Sequence, residues 1–329
     1  MKKRHWISIV VGVCFLIVGL SYVSTNCQAA EKYPSRPIQV VIGYEPGSTD
    51  QILRPLIDYM AEVLGQPMSF VFKPGGSGSV GATYVANSKP DGYTLMSGSL
   101  GPMILSPLTI KGINYTLEDF IPICRVQADA LAIVVKNDAR WKTLKDFIDE
   151  AKKNPGKINF STSGVFGTPH IPMEMLQKEA GIKLTHIPSA GSGPAVTALL
   201  GGHVDAICGP MQAVSPHLKS GAFRALAFSY VKKVAEYPNV PLLTDLGYNI
   251  KFYGYNNLVA PKGTPADVVK TLISACGKVM QTHRKELDDH FKKFNSDEAY
   301  LEGEDLAKLL RETRDSTKQI IDEIQKSGK

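Results

Sequence analysis

Two short loops hold the residues best suited to chemistry in this chain. They are Tyr44-Glu45-Pro46-Gly47-Ser48-Thr49-Asp50 and Ser163-Gly164-Val165-Phe166-Gly167-Thr168-Pro169-His170, far apart in a sequence of 329 residues. Each follows a β-branched run and leads into an amphipathic one, so each is expected to turn a strand into a helix. The first N–H groups of a helix lack intrahelical acceptors, and the aligned peptide dipoles put partial positive charge there. A carboxylate or phosphate is the natural occupant, and two such loops suggest two lobes closing on one small anion. Within the loops, Asp50 would repel an anion, so its expected work is to cap the helix and order the turn. Thr168 reads as a cap or a donor, and His170 as a donor whose charge follows pH.

Other chemistries lack their parts. Gly76-Ser77-Gly78-Ser79-Val80-Gly81 fits the dinucleotide pattern G-x-G-x-x-G. The next strand, however, runs into Gly98, Ser99, Leu100 and Gly101 without the carboxylate that would hold a ribose. These glycines are therefore read as a tight turn near the cleft. The chain has no G-x-S-x-G elbow, H-E-x-x-H pair or P-loop, and no Cys–His pairing that would mark a nucleophile. Arg284-Lys285-Glu286-Leu287-Asp288-Asp289 reads as a solvated face.

The elements around the loops alternate between short β-branched runs and longer amphipathic ones, which is the mark of an α/β fold. Strands are expected over 38–43, 68–72, 93–97, 131–135, 158–162, 184–187, 204–208, 222–228 and 252–260. Helices are expected over 50–64, 80–88, 144–154, 170–181, 193–200, from Ala266, and over 304–325. A second set of βα units lying inside the span of the first predicts a discontinuous, two-lobed architecture. Its ligand would sit beyond the carboxyl ends of the strands, where both loops fall.

The amino terminus reads as a secretory signal peptide: Lys2, Lys3 and Arg4, an apolar stretch from Ile7 to Val23, then Ala29 and Ala30 before Glu31. Cleavage is expected after Ala29 or Ala30, with an uncleaved anchor as the alternative. A lipoprotein anchor at Cys27 fits less well, because Ser24-Thr25-Asn26 lacks the usual apolar and small residues. Loss of residues 1–30 removes three of 37 Lys and Arg and none of 31 Asp and Glu, leaving a net charge of +3. That balance carries no nucleic-acid footprint. About three hundred mature residues favour two domains. Cys124, Cys208 and Cys276 each sit in an apolar context and read as small buried residues, with one bridge plus a free thiol as the alternative.

From Tyr33 to about residue 325 the chain resembles the tripartite tricarboxylate transporter receptors, the periplasmic carboxylate-binding proteins also called the Bug family. The matching segments are Tyr33-Pro34-Ser35-Arg36-Pro37-Ile38, Pro46-Gly47-Ser48-Thr49-Asp50, and Lys73-Pro74-Gly75-Gly76 with Gly81-Ala82. Further on, Pro90-Asp91-Gly92-Tyr93-Thr94-Leu95, Leu199-Leu200-Gly201-Gly202-His203-Val204-Asp205 and Ala260-Pro261-Lys262-Gly263-Thr264-Pro265 follow in family order.

The resemblance implies a two-lobed periplasmic binding protein, type II-like, with each lobe a sheet flanked by helices. Residues 1–30 would be the signal, 31–131 and 255–329 the first lobe, and 132–254 the second, with hinge crossovers near 128–133 and 250–256. It implies no catalysis, no cofactor and no metal. A monomer would capture a small organic carboxylate and pass it to the membrane permease subunits of a tripartite tricarboxylate-type transporter.

Carried over by position, the ligand residues are Tyr44, Gly47, Ser48, Thr49 and Asp50 in the first loop, and Ser163, Gly164, Thr168 and His170 in the second. The loops after other strands add Ser97, Ser99, Ser189, Ala190, Gly191, Gly209 and Pro210. This chain departs from the family where Gly47 stands without a second glycine, where Phe166 replaces a common glycine, and where Ser189 replaces an aromatic. A sensing receptor, or an enzyme that uses His170 on the same scaffold, are the competing readings. Turnover of a bound compound would separate the enzyme from a receptor.

Overall fold

A computed structural model of the chain describes residues 32–327, so the signal segment and Cys27 lie outside the described residues. Among the described residues, eleven strands form two sheets. The first sheet contains β1 (Ile38–Ile42), β2 (Met68–Phe72), β3 (Thr94–Ser99), β4 (Phe120–Asp129), β10 (Gly254–Pro261) and β11 (Asp297–Glu302), in the order β11-β4-β10-β3-β1-β2. The second contains β5 (Leu131–Lys136), β6 (Asn159–Thr162), β7 (Thr185–Pro188), β8 (Ala206–Pro210) and β9 (Phe223–Ser229), in the order β7-β6-β8-β5-β9.

Helices cover both sheets: α1 (Ser48–Leu64), α2 (Ser79–Ala86), α3 (Ser106–Thr109), α4 (Leu144–Lys153), α5 (His170–Ala180), α6 (Ser192–Leu200) and α7 (Met211–Lys219). The set is completed by α8 (Ala266–Thr282), α9 (Arg284–Lys293) and α10 (Gly303–Ser327). A π-helical turn, Gly101–Leu105, leads into α3.

Both sheets follow one plan. The parallel trios β2-β1-β3 and β7-β6-β8 each take beside their third strand an antiparallel strand that arrives from the other sheet. That strand is β10 in the first sheet and β5 in the second. Strand β1 is apolar and buried at Ile38, Val40, Val41 and Ile42, as a strand covered on both faces should be, and only Gln39 is exposed.

Helix α1 lays Ile52, Leu53, Leu56, Ile57 and Met60 on the first sheet, each at most 5 % exposed. Pro55 lies inside this helix and removes the N–H that would bond to the Gln51 carbonyl. His290 Nε2, on α9, stands 3.0 Å from that oxygen and supplies the missing donor. Gly65 ends α1 in the left-handed conformation, φ 68°, and returns its N–H to the last turn. Helix α4 starts on a reciprocal cap between Thr143 and Asp146.

Several elements go beyond the sequence expectations. Strands β4 and β11 lie in segments without a clean alternation, and their pairing with β10 and with each other creates them. The run from Arg284 is helix α9, whose Leu287 and Phe291 are fully buried while its charges face solvent. Cys124 on β4 and Cys276 on α8 form a disulfide, which overturns their reading as unpaired residues. Cys208 stays buried and free. Tertiary proximity across 152 residues made the pair, and spacing alone could not reveal it.

The sheets meet at two crossovers. The first is one residue, buried Ala130, between β4 and β5. The second runs from the end of β9 to β10. Beside them the turn before β11 grips both sides. Asn295 Nδ2 donates to Ser215 Oγ on α7 (2.7 Å), Gln127 Nε2 on β4 donates to Ser296 Oγ (3.0 Å), and Asp297 pairs with Lys232 (3.0 Å).

Candidate functional site

The loop after β1 is the topological counterpart of the loop after β6, since each leaves the central strand of a parallel trio at its carboxyl end. In the first lobe Tyr44 ties its own loop to the turn after β2 and to the end of β3. Its Oη is 3.2 Å from the Ser77 carbonyl oxygen and 3.2 Å from Ser99 Oγ. A phenol has one proton, so with the Ser77 carbonyl as acceptor it is Ser99 that donates to Tyr44. Burial raises the Tyr44 pKa and the Ser99 bond opposes it, which leaves the phenol protonated at neutral pH. Gly47 N–H donates to Asp50 Oδ1 at 2.6 Å, so this carboxylate is occupied in ordering the start of α1. Ser48 is the first residue of that helix, followed by partly buried Thr49.

The glycine-rich turn lies against the first loop. Ser77 (φ 54°) and Gly78 (φ 90°) are left-handed, and Ser77 is one of few non-glycine residues to be so. Gly43 and Gly81 let backbones touch: a Cβ on Gly81 would stand 2.8 Å from the Gly43 Cα. These glycines serve steric ends, as expected of a tight turn.

In the second lobe, the loop 163–169 is held by backbone bonds from Gly167 N to Gly164 O (3.2 Å) and from His170 N to Gly167 O (2.8 Å). Thr162 Oγ1 donates to Gly164 O (3.0 Å). Phe166 adopts φ 52°, a conformation that explains why glycine suits the position. Its N–H donates to His170 Nδ1 at 2.9 Å.

His170, expected as a donor to the ligand, is instead buried and engaged beneath the loop. Its ring is 5 % exposed, Nδ1 accepts from Phe166, and Nε2 lies 3.0 Å from Glu174 Oε1, although off the N–H direction. Its ring stacks on His186 at 3.9 Å and 18°. Burial, followed by neighbouring His170, lowers the His186 pKa to about 4, against a smaller opposing effect of Glu174. This imidazole is therefore neutral at pH 7.

Two loops from opposite lobes come face to face at Ser77 and Gly164: a Cβ on Gly164, which has φ 136°, would stand 3.6 Å from Ser77 Oγ. Ser163 and Thr168 flank this point, both partly buried. Ser189 Oγ is 2.8 Å from Ser161 Oγ and its N–H donates to Thr162 O (3.0 Å), so it braces the same loop. Ala190 and Gly191 follow it into α6, Ala190 exposed.

Ser97, Ser99, Gly209 and Pro210 are strand residues and not loop residues, contrary to expectation, because pairing with β10 and β5 extends β3 to Ser99 and β8 to Pro210. Ser97 is 3 % exposed and lines a small cavity beneath α1 with Leu53, Ile57, Cys124 and Asn257. Sequence reasoning missed Ser77 and His186. A serine between two glycines and a histidine within a short strand were their only signals. Among the described residues no group of three or more His, Cys, Asp or Glu could hold a metal, and no helix is long and apolar enough to cross a membrane.

Comparison with known proteins agrees with this architecture. The sequence model of the "Tripartite tricarboxylate transporter family receptor" matches residues 52–326. A protein of Cupriavidus necator, described as the UPF0065 protein in the gbd 5′ region, is 35 % identical over 329 residues, 98 % of each chain. BugT of Bordetella pertussis is 34 % identical over 258 residues, covering 77 % of this chain and 79 % of its own. The crystal structure of a TctC solute binding protein from Polaromonas superposes with a TM-score of 0.72 at 32 % identity, over 88 % of this chain and 99 % of that one. With a family model matching residues 52–326, two-lobed α/β topology and near full-length similarity to relatives, this chain belongs to the tripartite tricarboxylate transporter receptor family.

Proposed function

We propose that the protein is an exported solute-binding protein that takes a small organic carboxylate between its lobes and delivers it to the permease of a tripartite tricarboxylate-type transporter. The observation that carries this reading is the meeting of Ser77 and Gly164, loops of opposite lobes across one narrow gap. The donors near it are uncharged: the N–H groups at the start of α1 and the hydroxyls of Ser77, Ser163 and Thr168. The loops 44–50 and 163–170 contain no Lys or Arg. Such a site suits a carboxylate held by several N–H and O–H donors.

The lobes divide at 31–131 with 255–329 and at 132–254, and closure turns on 128–133 and 250–256. The one-residue link at Ala130 and the bonded turn 295–297 beside it support that hinge. The Cys124–Cys276 disulfide supports export to an oxidising compartment such as the periplasm.

The test is thermal-shift and calorimetric screening of the chain lacking residues 1–30 against mono-, di- and tricarboxylates, sugars and metal ions. A carboxylate is expected to stabilise the protein and to be recovered unchanged. Stabilisation by sugars or metals, with none by carboxylates, would overturn the reading.

A further inference from the structure

Beneath the second loop, two imidazoles from different elements meet face to face: His170 at the start of α5 and His186 within β7, 3.9 Å apart at 18°. Each ring sends one nitrogen to the loop. His170 Nδ1 accepts from the Phe166 N–H (2.9 Å). His186 Nε2 is 2.8 Å from Thr162 Oγ1. Because the Thr162 hydroxyl spends its proton on the Gly164 carbonyl (3.0 Å), it must accept from His186, which fixes the Nε2–H form of that ring. His170 is also fixed as Nε2–H, since its Nδ1 is the acceptor for an amide proton. The two tautomers thus pin Thr162, Gly164 and Phe166.

Phe166 needs that pin most. A left-handed φ on a residue with a large side chain is unfavourable and persists only where surrounding contacts over-determine it. The His170 acceptor holds the Phe166 amide, and the Phe166 ring lies tilted on the same imidazole at 5.6 Å. Phe160 packs against both rings, 4.8 Å from His186 and 6.1 Å from His170. The titratable or charged groups facing the pair are Glu174, one turn along α5, and the rings themselves.

We propose that His170 and His186 are positioning residues: two stacked imidazoles that, through their bonds to the Phe166 amide and the Thr162 hydroxyl, hold the second loop in its ligand-receiving shape without touching ligand. The proposal rests on the solute-binding reading for its functional consequence, but its structural half stands apart from any ligand.

Two variants test it. His170→Phe keeps the stacked ring and removes the acceptor. His170→Asn places an amide oxygen near the Nδ1 position and removes the ring. Hydrogen exchange of the Phe166 amide, measured by NMR on the ligand-free protein, reports the pin directly. His170→Phe is expected to speed that exchange at least tenfold and His170→Asn to keep it within about threefold of wild type. Affinities for succinate, citrate and benzoate are then compared, with a tenfold loss expected in His170→Phe for whichever probe binds wild type.

Imidazole ¹⁵N shifts of the wild type cover the case in which a variant fails to fold. Nε2–H tautomers are expected for both rings at pH 7, and an Nδ1–H tautomer at His170 would overturn the proposal. So would unchanged exchange in His170→Phe, or equal loss in both variants, which would mark packing alone. If none of the three probes binds wild type, the solute-binding reading is what fails for them, and the exchange result still decides the positioning role.

Discussion

A Cβ on Gly43 would stand 2.6 Å from the Gly78 carbonyl oxygen and 2.8 Å from the Gly78 Cα. The end of β1 and the glycine-rich turn are therefore in backbone contact, and Ser77 is carried on that contact. Gly43→Ala must push the turn away. Its expected cost is about 1–3 kcal/mol of stability, typical of inserting a group into a filled space. Because Ser77 moves with the turn, carboxylate affinity should fall as well. Urea denaturation and calorimetry of the one variant check both effects.

Tyr44→Phe removes the hydroxyl that joins the Ser77 carbonyl and Ser99. The expected loss is about 1–2 kcal/mol, since both partners remain behind without it. Ser99→Ala should cost less, because Tyr44 keeps its acceptor. Equal stabilities for the two variants would argue against the donor assignment.

The Cys124–Cys276 disulfide ties β4 to α8 in the first lobe. Replacing both cysteines with alanine should lower stability by about 2–5 kcal/mol, the range for a cross-link closing a long loop. The loops of the site lie on other elements, so carboxylate affinity should be unaltered. Denaturation with and without reductant, followed by binding at 25 °C, tests this.

Two buried groups give opposing pH dependences. Burial raises the Asp129 pKa from 3.8 to about 6, Asp297 adding to it and the Gln127 bond opposing it. The folded state then binds the extra proton between those values, so this group's contribution to stability falls as pH rises from about 4 to 6, by about 3 kcal/mol in all. His186, lowered from 6.5 to about 4, does the reverse: the unfolded chain binds the proton, and stability falls as pH drops from about 6.5 to 4. The His186 contribution is smaller than its shift suggests, because the ring is only partly buried.

Wild type should therefore show a shallow stability profile from pH 4 to 6. Asp129→Asn should be more stable near pH 7 and lose stability more steeply on acidification. Parallel profiles for the two proteins would remove Asp129 as the source.

The sequence by itself determined the alternation of strands and helices, the two strand-to-helix loops and the family. Those follow from local facts: the β-branched run of β1 and the aromatic, extended β2 and β6, the period of apolar residues in α1, and short motifs in fixed order. It also picked out Phe166 as a departure from glycine, and Asp50 as a capping residue rather than a clear anion partner.

Only the tertiary structure decided what lies far apart in the chain. It paired Cys124 with Cys276, joined β4 and β11 to a strand made much later or earlier, and gave the Gln51 carbonyl a donor on α9. It turned His170 away from the gap and onto His186, and brought Ser77 to Gly164. The physical reason is the same throughout. A strand edge, a thiol or a ring nitrogen is satisfied by whatever the fold places beside it, and residue type together with local spacing does not say which partner that will be.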